Sequence, residues 1–289
     1  MPTSSGARIV FADNERTPRR RRVTTGVILA LLVALGYAGW TLVRGMVTDL
    51  APPTCLAATD GRSVSLAPEQ AANAATIAAV SVKRGMPPRA ATIAIATAMQ
   101  ESKLRNLTVG DRDSVGLFQQ RPSQGWGTTE QILDPVYATN AFYDRLAKVD
   151  DYTTRSVTEV AQQVQRSGHP LAYAQHEDEA RVLASVLTGQ SPAGLACTLS
   201  KPDKPGDPAA VSAALERQLG VAATRTGDSV TVSATDAGAW AAAAWAVAHA
   251  EGRGVDTVRV GDRVWTRSDG AQWGQAALVG DVRLTLVST

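Results

Sequence analysis

The feature that most constrains this chain is a helix-forming run of small and apolar residues that ends at a carboxylate. Residues 90–99 read AATIAIATAM, and Glu101 follows two positions later. A helix of this composition has no polar face and must be buried. Glu101 then lies in partly dry surroundings near the negative end of the helix macrodipole, and both effects disfavour the ionised carboxylate. We therefore expect a raised pKa at Glu101, which is what a general acid needs near neutral pH.

Residues 23–43 form a second apolar run, and it contains no charged residue. At about 1.5 Å per residue, a helix of this length crosses a bilayer core of roughly 30 Å. Arginines concentrate at 16–22, so the positive-inside rule places the tail 1–22 in the cytoplasm and the bulk of the chain outside the cell membrane. A cleaved signal peptide is the alternative, but its apolar region is typically about 7–15 residues, which favours an uncleaved single-pass anchor. The net charge is only +2 and the basic residues concentrate in the tail, so we predict the lipid bilayer and no nucleic acid as a partner.

Two cysteines, Cys55 and Cys197, flank the central region. An exported compartment permits disulfides, and closing so long a loop stabilises a fold by about 4–5 kcal/mol in the chain-entropy picture. We therefore predict a Cys55–Cys197 disulfide, with two unrelated buried thiols as the alternative. Two isolated cysteines without a nearby histidine lack the spacing of a metal site, so neither a metal nor an organic cofactor is predicted.

Composition and turn signals divide the chain into six regions. These are a basic tail (1–22), a transmembrane helix (23–43), a stalk (44–65), a mainly α domain (66–199), a proline-rich linker (200–208) and a small α+β domain (209–289). In the last region Gly261-Asp262 is typical of a tight turn between two strands. This region contains four tryptophans, and a protein partner for the C-terminal domain is therefore one hypothesis.

The mainly α region resembles a known family. Glu101-Ser102 followed by Gly116-Leu117-Phe118-Gln119 is similar to the pattern of soluble lytic transglycosylases, and Gly110-Asp111-Arg112 is similar to an element of goose-type lysozymes. The resemblance covers residues 66–189. It implies a lysozyme-like fold and a partner in the glycan strands of peptidoglycan, whose β-1,4 bond between N-acetylmuramic acid and N-acetylglucosamine this family cleaves.

The resemblance also implies roles for individual residues. Glu101 would protonate the glycosidic oxygen, after which the muramyl C6 hydroxyl attacks, as in transglycosylases, or water attacks with the help of an aspartate, as in goose-type lysozymes. Asp111 matches that aspartate best and Asp113 less well, although both are also typical turn formers. The candidate substrate-contacting residues are Ser102, Gln119, Phe118 and Tyr143. A hydrogen bond to Glu101 or to the loop is the alternative for Ser102, and loop closure or core packing is the alternative for the others.

One element departs from the family pattern. The family places a tyrosine against the catalytic glutamate, whereas residues 163–168 contain none at the corresponding place. Tyr173, a little later, is the residue that could compensate. We expect a membrane-anchored lytic transglycosylase, with a non-catalytic peptidoglycan-binding protein or an envelope scaffold as the alternatives.

Overall fold

The computed structural model describes residues 31–40, 52–59, 61–166, 171–202 and 204–288. The chain divides into two compact units, Met1–Ala51 and Pro52–Thr289. In the first unit, residues 31–40 form a helix (α1) in which every residue is exposed. The tail 1–22 and the remainder of the predicted anchor, 23–30 and 41–43, lie outside the described residues. Within the described ranges, no helix combines the length and the apolar character that crossing a bilayer requires.

The second unit is a mixed helical and sheet structure. Its helices are α2 Pro68–Lys83, α3 Pro88–Ser102, α4 Thr129–Ile132, α5 Pro135–Leu146, α6 Val157–Gln165, α7 Glu177–Leu187, α8 Pro208–Leu219, α9 Asp236–Ala248 and α10 Ala250–Arg253. Prolines begin α2, α3, α5 and α8, where a missing N–H and a fixed φ suit the first helical turn. All residues of α3 from Ala90 to Ala98 are buried, which confirms the expectation of a helix without a polar face.

The strands form two antiparallel sheets. The first contains β1 Thr54–Thr59, β2 Arg62–Leu66 and β3 Leu195–Thr198, in the order β2-β1-β3. The second contains β4 Ala223–Thr226, β5 Ser229–Val232, β6 Val255–Thr266 and β7 Gly274–Leu286, in the order β4-β5-β7-β6. The β1–β2 hairpin lies where the sequence analysis places the end of a stalk. Those residues are structured because β1 pairs with β3, a strand far along the chain that local patterns do not reveal.

The predicted disulfide is confirmed. Cys55 and Cys197 are directly opposite each other in the β1–β3 pair and are joined by an S–S bond of 2.03 Å. The bond closes the central region by connecting its first strand to its last. It therefore holds together the strand that lies before α2 in the sequence and the strand that follows α7.

The tight turn predicted at Gly261-Asp262 is wrong. β6 runs without interruption through both residues, and the reversal occurs between Thr266 and Gly274. The pairing of β6 with β7 shifts register around Gly261, which has φ +55°. A glycine in the left-handed region accommodates the extra residue of a bulge, so the same residue types that indicate a turn here bend a long strand instead.

Residues on both sides of the predicted linker pack in one core. α9 is buried on nearly all sides, because it lies between the second sheet and helices α2 and α7. At this contact Trp245 Nε1 donates to Gln218 Oε1 at 2.7 Å, and Thr76 Oγ donates to the same oxygen at 3.1 Å. These bonds satisfy the buried polar groups between α2, α8 and α9.

Candidate active site

A polar cleft of about 740 Å³ opens where α3 ends. Its lining residues are Glu101, Asp111, Arg112, Ser114, Gln119, Arg121, Gln124, Trp126, Gln165 and Arg166. Glu101 is half-buried, in the last turn of a helix that is otherwise enclosed by the core. The predicted pair of carboxylates, Glu101 and Asp111, therefore lines the same cleft.

The carboxylate of Glu101 is held by a tyrosine. Tyr173 is fully buried, and its hydroxyl donates to Glu101 Oε1 at 2.7 Å. Tyr173 thus makes the contact that residues 163–168 cannot make, as the sequence analysis anticipated for it. Tyr173 directly precedes a short 3-10 turn, Ala174–His176.

That 3-10 turn is fastened to the end of α3 beside the glutamate. Gln175 Nε2 donates to Gln100 Oε1 at 3.1 Å, and His176 Nε2 lies 3.1 Å from the same oxygen. Burial lowers the pKa of His176 against an opposing effect of Glu179, so the ring is neutral at neutral pH and donates as its Nε2–H tautomer. Gln100 and Glu101 are thereby both tied to one short segment, which fixes the orientation of the carboxylate.

Ser102 connects α3 to the glycine-containing turn. It is 5% exposed, and its hydroxyl lies 2.7 Å from Leu117 O and 3.0 Å from Ala98 O. The hydrogen bond to the loop is confirmed, but the predicted contact with substrate is corrected because the side chain is buried behind the cleft. Ser102 positions the turn that carries Gln119.

Gln119 lines the cleft as predicted. Its Nε2 donates to Gly116 O at 3.2 Å, and its Oε1 lies against Gly110, where an added Cβ would come within 1.8 Å of that oxygen. Gly110 therefore leaves the space that this side chain occupies. The space needed by Gln119 therefore explains why the first residue of the Gly110-Asp111-Arg112 element is a glycine.

Strained backbone is concentrated around the cleft. Eight non-glycine residues of the described ranges have positive φ, and Arg112, Gln119 and Arg166 of the cleft lining are three of them. Two more, Lys103 and Leu104, directly follow the Glu101-Ser102 pair. Left-handed conformations cost about 1–2 kcal/mol for residues with a Cβ, and such positions cluster at functional sites. The loops around Glu101 therefore maintain a costly shape.

The predicted sugar contacts of Phe118 and Tyr143 are corrected, because both side chains are fully buried. Phe118 stacks on Phe142 with ring centroids 4.8 Å apart. The Tyr143 hydroxyl donates to Ile77 O at 3.0 Å, and burial raises the pKa of this tyrosine far above its usual value. Core packing, the alternative stated for these rings, is what the structure has.

The two candidate aspartates have different environments. Asp113 accepts from Arg121 Nε at 2.8 Å and from the Ser123 backbone N–H at 2.8 Å, and these bonds hold the pKa of its carboxyl well below the usual range. It is an ionised anchor of the loop. The Asp111 side chain is 89% exposed, and the nearest cation is Arg112 Nε at 3.9 Å. Asp111 is therefore open to the cleft but is not fixed in one orientation.

Several cleft residues were not found from the sequence. Gln165 Nε2 donates to Phe118 O at 2.7 Å, which attaches the end of α6 to the turn below Glu101. Arg166 follows it in the lining. Both residues lie in the segment where the family pattern expects its tyrosine element, and this was the one available signal. Within the described ranges, no three His, Cys, Asp or Glu side chains gather as metal ligands would.

A comparison with models of known protein families finds none that matches this chain, and a search of curated proteins finds no match either. The resemblance to lytic transglycosylases therefore depends on the quoted motifs alone. The function of the cleft is inferred from its own residues.

Proposed function

We propose that this chain is a membrane-anchored, extracytoplasmic peptidoglycan glycosidase of lysozyme-like fold, with Glu101 as its general acid. The observation that carries the proposal is a single half-buried carboxylate at the end of a buried helix, open to a polar cleft and held by Tyr173 at 2.7 Å. In the proposed role Glu101 holds a proton and donates it to the glycosidic oxygen of the sugar chain in the cleft.

The lining of the cleft suits a glycan. A volume of about 740 Å³ lies within the usual range of ligand sites. The lining is formed mainly by side chains that donate or accept hydrogen bonds, including three glutamines, Gln119, Gln124 and Gln165. Sugar hydroxyls and N-acetyl groups are both donors and acceptors, so they match amide side chains better than apolar ones.

The environments of the two aspartates favour transglycosylation over hydrolysis. Asp113 is committed to Arg121, and Asp111 is exposed and loosely held, so neither aspartate is fixed where it could position a water. In the proposed reaction Glu101 gives its proton to the leaving oxygen as the anomeric C–O bond breaks. The muramyl C6 hydroxyl attacks the anomeric carbon and returns its proton to Glu101, which yields a 1,6-anhydro product.

The test is release of anhydro-muropeptides from purified sacculi by the full chain in detergent, read by mass spectrometry. Glu101→Gln keeps the shape and removes the transferable proton, so release should fall by about a hundredfold or more while co-sedimentation with sacculi persists. Glu159→Gln is the matched control, because Glu159 is an exposed helical glutamate outside the cleft lining. Undiminished release by Glu101→Gln would show that the acid has been misassigned.

Glycan binding without cleavage is the second candidate function. The Tyr173 hydroxyl already donates to Glu101 Oε1, and a carboxylate held as an acceptor can bind sugar hydroxyls without giving up a proton. A binder would co-sediment with sacculi without releasing fragments, whether or not Glu101 is replaced. A scaffold would be indifferent to Glu101 in both assays.

The membrane anchor is part of the same proposal. Leu31, Leu32, Val33 and Leu35 of α1 are each more than half exposed, and the flanking positions in the sequence carry no charge. The disulfide supports an exported location for the second unit, because such bonds persist in oxidising compartments. Protease added to intact cells should digest the second unit and spare an epitope on the tail 1–22.

A further inference from the structure

Residues 121–126 form part of the cleft wall as a short, tightly turned segment. Gln124 and Trp126 of this segment line the cleft, and Pro122–Gln124 is a single 3-10 turn. Gly125 ends the turn in the left-handed region, with φ +71°. A 3-10 turn this short has few hydrogen bonds of its own, and their geometry is poorer than in an α-helix. The shape of the 121–126 segment therefore depends on the groups that hold it.

A carboxylate holds the beginning of this segment. Asp113 lies on the loop before it, and its two oxygens accept from Arg121 Nε and from the Ser123 backbone N–H, each at 2.8 Å. These bonds keep the pKa of Asp113 well below its usual range, so the carboxyl is ionised at neutral pH. The first turn of a helix has N–H groups without a partner in the helix, and Asp113 satisfies one of them.

An arginine from a different element holds the end of the segment. Arg145, in the last turn of α5, donates from Nη2 to Gln124 O at 3.3 Å and to Gly125 O at 3.4 Å. Its guanidinium carbon also lies 3.3 Å from the ring centroid of Trp126, which is 4% exposed. A guanidinium can stack on an aromatic face and donate hydrogen bonds in its own plane. One side chain therefore fixes two carbonyls and the ring.

Gln124 is the side chain that this arrangement presents to a ligand. Arg145 holds its backbone carbonyl, while the side chain itself is exposed at the cleft. A carboxamide has two N–H donors and an acceptor oxygen, which match the hydroxyl and acetamido groups of a sugar. Binding orders a side chain at a lower cost in entropy when its backbone is already fixed, so the restraints on the segment should raise the affinity for the ligand.

We propose that the 121–126 segment is a preorganised sugar-binding wall, in which Gln124 contacts the glycan and Asp113 and Arg145 are positioning residues. The inference rests on the proposed function and deepens it, because it assigns a glycan contact to a named side chain of the cleft. It gives Asp113 a role that requires neither a proton nor a water. It also gives a role to Arg145, which lies outside the cleft lining.

The test uses the full chain with Glu101→Gln as the parent, in detergent, so that cleavage does not consume the probe. The probe is a peptide-bearing tetrasaccharide of alternating N-acetylglucosamine and N-acetylmuramic acid prepared from peptidoglycan, and calorimetry measures its Kd. Gln124→Ala should weaken binding about three- to tenfold, the effect of one hydrogen bond, without lowering the melting temperature. Gln275→Ala is the matched control, because Gln275 is an exposed glutamine on β7, outside the cleft lining.

Arg145→Met keeps much of the length of the side chain and removes its charge and its donors. It should weaken binding of the probe about threefold or more and speed hydrogen exchange at the amides of the 121–126 segment. Arg145→Lys keeps the charge and should retain part of the affinity. Asp113→Ala should have the same two effects as Arg145→Met, because it releases the other end of the segment. Arg259→Met is the matched control, since this half-buried arginine also donates to a backbone carbonyl, Ala277 O at 3.1 Å, but outside the cleft lining.

A double-mutant cycle separates positioning from general support of the fold. In the Gln124→Ala background, Arg145→Met should weaken binding by less than it does alone, because the contact that Arg145 positions is already absent. Fully additive losses, an unchanged Kd in Gln124→Ala, an equal loss in Arg259→Met or no binding of the tetrasaccharide by the parent chain would each overturn the sugar-binding wall. The glycosidase proposal is judged by a different assay, the release of fragments from sacculi, and it fails only if that release does not require Glu101.

Discussion

Replacing Ser102 by alanine tests how the end of α3 that carries Glu101 is attached to the turn that carries Gln119. The Ser102 hydroxyl is buried and lies 2.7 Å from Leu117 O, fifteen residues away. Alanine leaves this buried carbonyl without that donor, and an unsatisfied buried polar group costs about 1–3 kcal/mol. For a unit of this size the melting temperature falls by about 2–4 °C per kcal/mol, so it should fall by roughly 2–12 °C. Binding of glycan should weaken as well, because the turn holds Gln119 in the cleft.

Thr97→Val is the matched control for this change. Thr97 is also a buried hydroxyl of α3, but its one bond is to Ile93 O within the helix, at 2.7 Å. The valine is nearly isosteric and breaks no contact between elements, so the loss of stability should be under about 1 kcal/mol. Differential scanning calorimetry of both variants provides the comparison. Equal losses in the two variants would refute the reasoning, because the bond to the loop would then add nothing beyond a local one.

Three further predictions concern the cleft, pH and the disulfide. Gly110→Ala places a Cβ 1.8 Å from Gln119 Oε1 and 2.8 Å from Ser114 O, so the glutamine must move and the affinity for glycan should fall. Gly252→Ala is the control, because a Cβ there meets open space and the affinity should not change. Burial, partly opposed by the Trp245 backbone carbonyl, lowers the pKa of His249 from 6.5 to about 3. As the pH falls below 6.5, the His249 ring therefore takes up a proton in the unfolded chain before it does so in the folded one. Thermal stability should accordingly fall as the pH drops from 6.5 to about 3. That fall should be smaller in His249→Gln, and an unchanged slope would contradict the assignment. Reduction of the Cys55–Cys197 bond should lower the melting temperature on the order of 10 °C, measured with and without dithiothreitol, and an unaltered melting curve would show that the closed loop contributes no stability.

Much of the helical architecture was predictable because its signals are local. The proline pair before α3, the apolar run inside it and the glycine and proline after α7 mark helix boundaries within one or two residues. The position of Glu101 also follows from local pattern, since a carboxylate at the end of an apolar helix must face either the core or an opening. The cleft itself was predictable only as a consequence of this placement.

The errors concern features that depend on distant parts of the chain. The fate of Phe118 and Tyr143 depends on which helices pack on them, and α5 covers the first while α2 accepts a hydrogen bond from the second. The strand at Thr54–Thr59 becomes recognisable only through its partner Leu195–Thr198. Gly261-Asp262 has residue types typical of a turn, but Gly261 lies in a bulge of β6. The pairing of β6 with β7 along the whole strand outweighs this local preference for a turn.

α2 supports the site from behind. Lys103 and Leu104, which follow α3, both have left-handed backbone conformations. Two amide side chains of α2 stabilise that turn, since Gln70 Nε2 donates to Lys103 O and Asn73 Nδ2 donates to Leu104 O, each at 2.9 Å. The turn that directs Glu101 into the cleft is therefore held by α2 as well as by its own sequence.

α2 also packs on the C-terminal region. Thr76 of α2 lies 3.1 Å from Gln218 Oε1 and 3.3 Å from His249 Nε2, both within the buried contact with α8 and α9. The C-terminal region therefore packs on the same helix that stabilises the strained turn beside Glu101 through Gln70 and Asn73. The region thereby contributes to the shape of the cleft through α2. A change that loosens the contact of α2 with α8 and α9 should therefore reduce glycan binding, although it lies outside the cleft. If the C-terminal region served only to bind a protein partner, such a change would leave glycan binding unaltered.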